Sequence, residues 1–159
     1  MTTPNSPSDS NESNEPIRIL LVDDDEVDRM AVIRAFDKLN VASEIVCASD
    51  GAEALDVMRG TGGKEKIQYP YVVLLDLNMP RMDGFEFLDE LRKDEALRQP
   101  VVFVLTTSNL EQDRLDSYNK SVAGYIVKQR AGEDFMSMIS MLDSYWKIVD
   151  LPTDSSWHS

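Results

Sequence analysis

The sequence lacks three features: a long apolar run, an amino-terminal targeting segment and a pair of cysteines. No apolar stretch approaches the roughly 20 residues that span a bilayer. The opening MTTPNSPSDSNESNEP has neither the basic residues nor the apolar core of a signal peptide. Cys47 is the only cysteine, which excludes an intramolecular disulfide, and its apolar surroundings EIVCA predict a buried, inert thiol. These absences predict a cytoplasmic protein with no membrane partner.

Basic residues are also scarce. The chain has 29 acidic against 16 basic residues, for a formal net charge of −13. Because the phosphates of nucleic acids are bound by clustered lysine and arginine, this balance argues against a nucleic acid as partner. It is compatible with a basic protein partner or with a metal cation bound by some of the acids. Most of the acids are expected at the solvated surface.

The chain is expected to form one domain with a tail at each end. Residues 1–16 are mainly serine, asparagine, proline and acidic residues with little aliphatic carbon to bury, which predicts a disordered tail. Residues 17–148 are long enough for one domain with a hydrophobic core. Residues 149–159 are expected to form a carboxy-terminal tail.

Short apolar runs alternate with amphipathic segments five times along this domain. The predicted strands contain IRILLV, EIVCA, YVVLLDL, VVFVLTTS and GYIVK. The first helical segment has the apolar residues Val27, Met30, Ile33, Ala35 and Leu39 near helical spacing. The third has Phe85, Leu88, Leu91 and Leu97 on one side. This alternation predicts an α/β fold: a five-stranded parallel sheet, doubly wound and flavodoxin-like, with helices on both faces.

Polar residues follow the strands at their carboxyl ends, where open α/β sheets bind their ligands. The residues there are Asp23, Asp24, Asp25, Asp76, Asn78, Thr106, Thr107, Ser108 and Lys128. Carboxylate oxygens suit Mg²⁺. A carboxylate nucleophile, a metal, a lysine and a hydroxyl donor together describe a site for a phosphoryl group. The sequence has neither a P-loop nor GxGxxG, so nucleotide binding has no support.

Four motifs in order, LLVDDDEV, DLNMPRMDGFEFL, LTTS and GYIVK, resemble the receiver domain of two-component response regulators. The resemblance covers Ile17 to Trp146, and the separations of 30 residues from Asp76 to Thr106 and 22 from Thr106 to Lys128 are also similar. It implies a stand-alone signalling phosphoacceptor. Such a protein takes a phosphoryl group from a sensor histidine kinase or a phosphotransfer protein. It is not an enzyme acting on other molecules, since it catalyses only its own phosphorylation and slow dephosphorylation.

The resemblance implies roles for the acidic residues. Asp76 matches the phosphoacceptor. Asp23 and Asp24 match the pair that binds Mg²⁺ together with Asp76 and the backbone carbonyl of Asn78. Asp25 could replace Asp23 as a ligand, but its position favours capping of the first helix.

Further roles follow from the resemblance at the other strand ends. Thr106 and Lys128 match the residues that contact the phosphoryl oxygens, and Thr106 with Tyr125 matches the switch pair. Asn78 and Ser108 stand where the family tunes its dephosphorylation rate. Thr107 could stand in for Thr106, although only Thr106 has the family's spacing to Lys128. The alternatives are that Tyr125 is simply a half-buried strand aromatic and Lys128 a surface lysine.

The sequence departs from the family at Lys128-Gln129, where Lys-Pro with a cis peptide is usual. A cis bond before a residue other than proline costs about 2.5–4 kcal/mol, so we expect a trans bond with a reshaped loop, or a strained exception. This departure, the longer segment GTGGKEKIQYP and the ending YWKIVDLP resemble the small response regulators paired with bacterial phytochromes.

The last helix is predicted to pass on the signal through a protein–protein contact, since the sequence shows no attached output domain. Its residues expected to face the sheet are Phe135, Ile139, Leu142 and Trp146. Those expected to extend the apolar surface are Met138, Met141, Tyr145 and Ile148. With the fourth helix and fifth strand, they predict a phosphorylation-sensitive surface for homodimerisation. The alternative is that neighbouring segments bury this excess.

Two other functions share part of this pattern. A phosphatase of the haloacid dehalogenase type also places a nucleophilic aspartate after a buried strand, but it needs a second aspartate two residues on, where this chain has Asn78. A pseudo-receiver would bind partners without phosphorylation. The full set Asp23, Asp24, Asp76, Thr106 and Lys128 argues against it, because a degenerate receiver should have lost some of these residues.

Overall fold

The protein forms one parallel sheet of five strands. A computed structural model describes residues 16–79, 81–97, 100–106, 110–127 and 131–148. The strands are β1 (Ile17–Val22), β2 (Ser43–Ala48), β3 (Val72–Leu75), β4 (Val101–Thr106) and β5 (Gly124–Val127), in the spatial order β2-β1-β3-β4-β5. All four strand pairs are parallel, and this order is that of the flavodoxin-like fold. The predicted fold class is confirmed.

Each strand is followed by a helix. The helices are α1 (Glu26–Lys38), α2 (Gly51–Arg59), α3 (Gly84–Lys93), α4 (Glu111–Asn119) and α5 (Ala131–Ile148). The first three begin where an aspartate caps them: the side chains of Asp25, Asp50 and Asp83 accept hydrogen bonds from amides of the first turn. Among the helices described, none is both long and apolar enough to cross a bilayer.

Two hydrophobic clusters lie on opposite faces of the sheet. The side chains of β1 alternate between them: Leu20 and Val22 join the cluster that contains α2 and α3, whereas Ile19 and Leu21 join the one that contains α1 and α5. A strand segment covered on both faces needs apolar residues at every position, which explains the continuously apolar sequences of residues 19–22 in β1 and of β3.

Burial in α1 and α3 follows the apolar spacing of the sequence only in part. In α3, Leu88 and Leu91 are buried as predicted, but the fully buried aromatic residue is Phe87, and Phe85 is only partly buried. In α1, Val27 is 75% exposed. Met30 of that helix is exposed as well, and the buried residues of α1 are Val32, Ala35 and Phe36. Ala35, Leu88, Leu91 and Leu97 are buried as their spacing indicated. Apolar spacing alone therefore identifies part of the buried side of each helix and misses Phe36 and Phe87.

Two further predictions about burial are wrong. Cys47 is exposed, because β2 is the edge strand of the sheet. Partial desolvation still raises the pKa of its thiol above the ordinary 9.0, so the thiol stays protonated at neutral pH. Met138, predicted to belong to the exposed surface of α5, is 4% exposed and packs in the core cluster with Ile139 and Leu142. Met141 is 44% exposed, as a surface residue should be.

Several predictions fall outside the described residues. They concern the two tails (apart from Pro16), Thr107, Ser108, Lys128 and its peptide bond to Gln129, and the side chains of Phe135, Tyr145 and Ile148.

Candidate functional site

The carboxylates of Asp23, Asp24 and Asp76 meet at the carboxyl edge of the sheet. One oxygen atom from each lies within 4.8 Å of the other two. Strand order explains the meeting, since β1 and β3 are neighbours and Val22 pairs with Leu75, so the residues after both strands emerge side by side. The amide of Asp76 donates to the carbonyl of Val22 at 2.9 Å, which extends the pairing by one residue.

Burial of this cluster is uneven. Asp23 is 2% exposed and Asp76 is 7% exposed, whereas Asp24 is exposed. Backbone amides donate to the two buried carboxylates: Asp25 N–H to Asp23 Oδ1 at 2.9 Å and Asn78 N–H to Asp76 Oδ1 at 3.3 Å. Three carboxylates at this separation repel one another, and a divalent cation would offset the repulsion.

The oxygen donors fit a small, hard cation. Mg²⁺ is held in proteins by one or two carboxylates and keeps several water ligands. Here Asp23 and Asp76 supply buried oxygens while the exposed Asp24 leaves one side of the cluster open to water. The geometry therefore suits a hydrated divalent cation, as the sequence predicted.

Asp25, the third aspartate of the run, points away to α1. Its carboxylate accepts from the amide of Val27 at 2.8 Å and from that of Asp28 at 3.4 Å. These bonds satisfy two of the free amides at the start of the helix. The predicted capping role of Asp25 is confirmed.

The two residues predicted to form a switch pair lie on the neighbouring strands β4 and β5. Thr106 ends β4 and is fully buried. Tyr125 on β5 pairs with Val104, is half-buried, and packs against the core cluster of α2 and α3. The guanidinium of Arg114 on α4 lies 5.5 Å from the centre of the Tyr125 ring, a cation–π distance. Val127, the residue before Lys128, pairs with Thr106.

Gly84 determines how closely α3 approaches the loop that follows β3 and begins with Asp76. Its amide donates to the carbonyl of Leu77 at 2.9 Å. A Cβ atom at this position would stand 2.7 Å from the carbonyl oxygen of Asp76 and 2.7 Å from Cα of Leu77. Both are backbone atoms, so a side chain could be accommodated only if the loop moved.

We therefore expect Gly84→Ala to displace the loop. The substitution should lower the free energy of unfolding by about 1–3 kcal/mol, as overpacking usually does, and should slow the predicted phosphorylation of Asp76. Urea unfolding and the rate of adduct formation measure the two effects. A variant with wild-type values for both would show that the loop tolerates the methyl group without moving.

Sequence reasoning missed the contact between this loop and the start of α2. Arg81 donates to Asp50 through Nε at 2.9 Å and through Nη2 at 3.1 Å. Burial raises the pKa of Asp50, but the amide of Glu53 and the Arg81 guanidinium outweigh it, so the pKa lies below the ordinary 3.8. The only sequence signal was an aspartate–glycine pair before a predicted helix, which marks a cap but not its arginine partner.

Comparison with known proteins agrees with this geometry. The family described as response regulator receiver domain matches residues 19–140. Response regulator Rcp1 of Synechocystis sp. is 36% identical over 144 residues, which cover 90% of this chain and 98% of Rcp1. The probable methanogenesis regulatory protein FilR2 of Methanothrix harundinacea is 37% identical over 136 residues, covering 85% of this chain and 86% of FilR2.

Solved structures are similar over the same extent. The phosphorylated cyanobacterial phytochrome response regulator RcpA superposes with a TM-score of 0.75 at 32% identity, covering 87% of this chain and 100% of RcpA. The Mn²⁺-bound form of Rcp1 superposes with a TM-score of 0.72 at 33% identity, covering 87% of this chain and 100% of the Rcp1 chain. The chain therefore belongs to the family of response regulator receiver domains.

Proposed function

We propose that this protein is a stand-alone response regulator whose phosphoacceptor is Asp76. The observation that carries the proposal is the meeting of Asp23, Asp24 and Asp76 within 4.8 Å beyond β1 and β3. Only one of the three needs to act as nucleophile, and Asp76 stands at the start of a loop that packs closely against α3. The match of residues 19–140 to the receiver family supports the same assignment.

The reaction transfers a phosphoryl group to a carboxylate oxygen of Asp76. When the donor is a phosphohistidine, the P–N bond breaks, a P–O bond forms, and the imidazole leaves with the electron pair. Hydrolysis of the acyl phosphate returns the carboxylate and releases inorganic phosphate. Thr106 and Lys128 would contact the phosphoryl oxygens, and Asn78 and Ser108 would tune the hydrolysis.

Asp23, Asp24, Asp76 and the backbone carbonyl of Asn78 would hold Mg²⁺. When bound, the ion neutralises negative charge that builds up on the phosphoryl oxygens. Thr106 and Tyr125 would transmit the new state: drawing the hydroxyl of Thr106 toward the phosphoryl group leaves space into which the Tyr125 ring turns. The half-buried position of Tyr125 supports such a movement.

The phosphoryl donor would be a sensor histidine kinase or a phosphotransfer protein in the cytoplasm. A bacterial phytochrome is the kinase we favour. RcpA is a phytochrome response regulator, and the similarity to it extends over 87% of this chain.

The output surface would lie on α4, β5 and α5 and serve homodimerisation. Leu115 and Tyr118 of α4 and Met141 of α5 are exposed apolar side chains, and such patches commonly mark interfaces. Of the predicted interface residues, Met141 is still a candidate because it is exposed, whereas the burial of Met138 excludes it. The assignment of Tyr145 and Ile148 to the interface stays a prediction.

Met141→Glu is expected to weaken phosphorylation-dependent dimerisation about tenfold or more, since it places a charge in the apolar patch. Analytical ultracentrifugation with and without beryllofluoride, which mimics the phosphoryl group, measures the association. Val46→Glu is the matched control, because Val46 is an exposed apolar residue on the edge strand β2. If the two variants dimerised equally well, the interface would lie elsewhere on the protein.

Intact mass after incubation with acetyl phosphate, with and without Mg²⁺, tests the function itself. A single Mg²⁺-dependent adduct supports the proposal. No adduct under any condition would favour a pseudo-receiver, and turnover of many phosphate esters would favour a phosphatase.

A further inference from the structure

We propose that Arg81 is a positioning residue that clamps the phosphoacceptor loop to the start of α2 and so sets the affinity of the acidic cluster for a divalent cation. The loop joins β3 to α3, is described at residues 76–79 and 81–83, and carries both Asp76 and Asn78. The role of the cation in this inference rests on the proposed function. The contacts of Arg81 described below do not depend on that function.

The acceptor of the clamp is held rigidly. Asp50 caps α2, with its Oδ1 atom accepting from the amide of Glu53 at 2.8 Å. Its side chain is only 13% exposed, so it cannot follow the arginine into solvent. The planar guanidinium of Arg81 reaches both carboxylate oxygens, a geometry that fixes orientation as well as distance. The loop is thus attached to the first turn of a helix.

A backbone contact reinforces this attachment at the next residue. The amide of Gly51 donates to the carbonyl of Met82 at 3.0 Å. A Cβ at Gly51 would lie 2.8 Å from Cγ and 2.9 Å from the carbonyl oxygen of Met82, so a residue with a side chain would force the two loops apart. Arg81 and Met82 therefore dock together on Asp50 and Gly51.

The clamp would affect the cation site because the loop connects Arg81 to Asp76 and Asn78. At its start, the amide of Asp76 bonds to β1, and at its end Arg81 and Met82 bond to α2. Asn78 lies between these attachments and is exposed. Releasing the far end would let the carbonyl of Asn78 move, and a cation would then have to order it on binding, which lowers affinity.

Global stability should depend little on Arg81. Its own side chain is 66% exposed, and exposed ion pairs add little to the free energy of unfolding. Loss of the clamp should therefore show in cation binding and leave the urea midpoint nearly unchanged. A purely structural role would give the opposite pattern.

Arg59 provides a matched control. It contacts Asp94 through two nitrogens, at 3.3 and 3.2 Å, and lies at the last residue of α2, at the other end of the helix from Asp50. Arg59→Met and Arg81→Met thus remove the same kind of contact from opposite ends of α2.

The experiment is a titration of each full-length variant with Mn²⁺, counting free ion by electron paramagnetic resonance. Loss of a residue that orients a metal ligand typically weakens metal affinity 10- to 100-fold, and we expect about tenfold for Arg81→Met. Asp50→Asn should give the same loss, since asparagine caps a helix as well as aspartate does. The double variant should be no weaker than either single one, and Arg81→Lys should recover part of the affinity.

The outcomes separate the clamp from the proposed function. The clamp is overturned if Arg81→Met binds Mn²⁺ as tightly as the wild type does. It is also overturned if Arg59→Met loses as much Mn²⁺ affinity as Arg81→Met. Both results hold even if Asp76 is phosphorylated normally. Wild-type protein that binds Mn²⁺ but forms no adduct overturns the function and leaves the clamp supported by the variant series. Wild-type protein that binds no Mn²⁺ overturns the clamp's role.

Discussion

Asp76→Asn is expected to abolish the Mg²⁺-dependent adduct formed with acetyl phosphate. The amide has nearly the same shape as the carboxylate, so the buried site is kept, but its neutral oxygen is a poor nucleophile. The variant also carries one carboxylate fewer at a cluster where three oxygens lie within 4.8 Å. Intact mass of both proteins under identical conditions measures the effect, which should be complete.

Asp25→Asn is the control for this substitution. Asp25 belongs to the same run of three aspartates, but its carboxylate caps α1 and does not join the cluster. Asparagine caps a helix equally well, so this variant should form the wild-type amount of adduct. An adduct on Asp76→Asn would identify a different acceptor, and its loss in Asp25→Asn would extend the site to the start of α1.

Phe87→Ala is expected to give the largest loss of stability among the core substitutions discussed. The Phe87 ring is fully buried in the cluster that joins α2 and α3 to the sheet. Replacing such a ring with a methyl group leaves a cavity and typically costs about 3–5 kcal/mol of unfolding free energy. Urea unfolding measures the loss, and for a domain of this size it should remove much of the total stability.

Phe85→Ala tests whether the effect follows burial and not residue type. Phe85 stands two positions earlier on the same helix and is only partly buried. Its removal should cost about 1 kcal/mol, the centre of the usual range for single substitutions. If Phe85→Ala proved as damaging as Phe87→Ala, the rotation of α3 about its axis would be other than the structure shows.

Local patterns determined the succession of strands and helices along the chain and the polar residues predicted at the ends of the strands. Continuous apolar runs that end in aspartate, threonine and lysine predict parallel strands with a polar carboxyl edge, because the periods of strand and helix depend on neighbouring residues only. The capping role of Asp25 was predictable for the same reason, since a cap is a contact across two or three residues. The receiver motifs then singled out Asp76 among 29 acids.

Tertiary structure decided what depends on residues far apart in the sequence. The pairing of β1 with β3 brings Asp23 and Asp24 to Asp76, and the edge position of β2 leaves Cys47 exposed. Likewise, Arg81 forms a hydrogen bond with Asp50, which lies 31 residues earlier in the sequence. Contacts of this kind follow from the order of strands in the sheet and the rotation of each helix against it, and no local pattern carries that information.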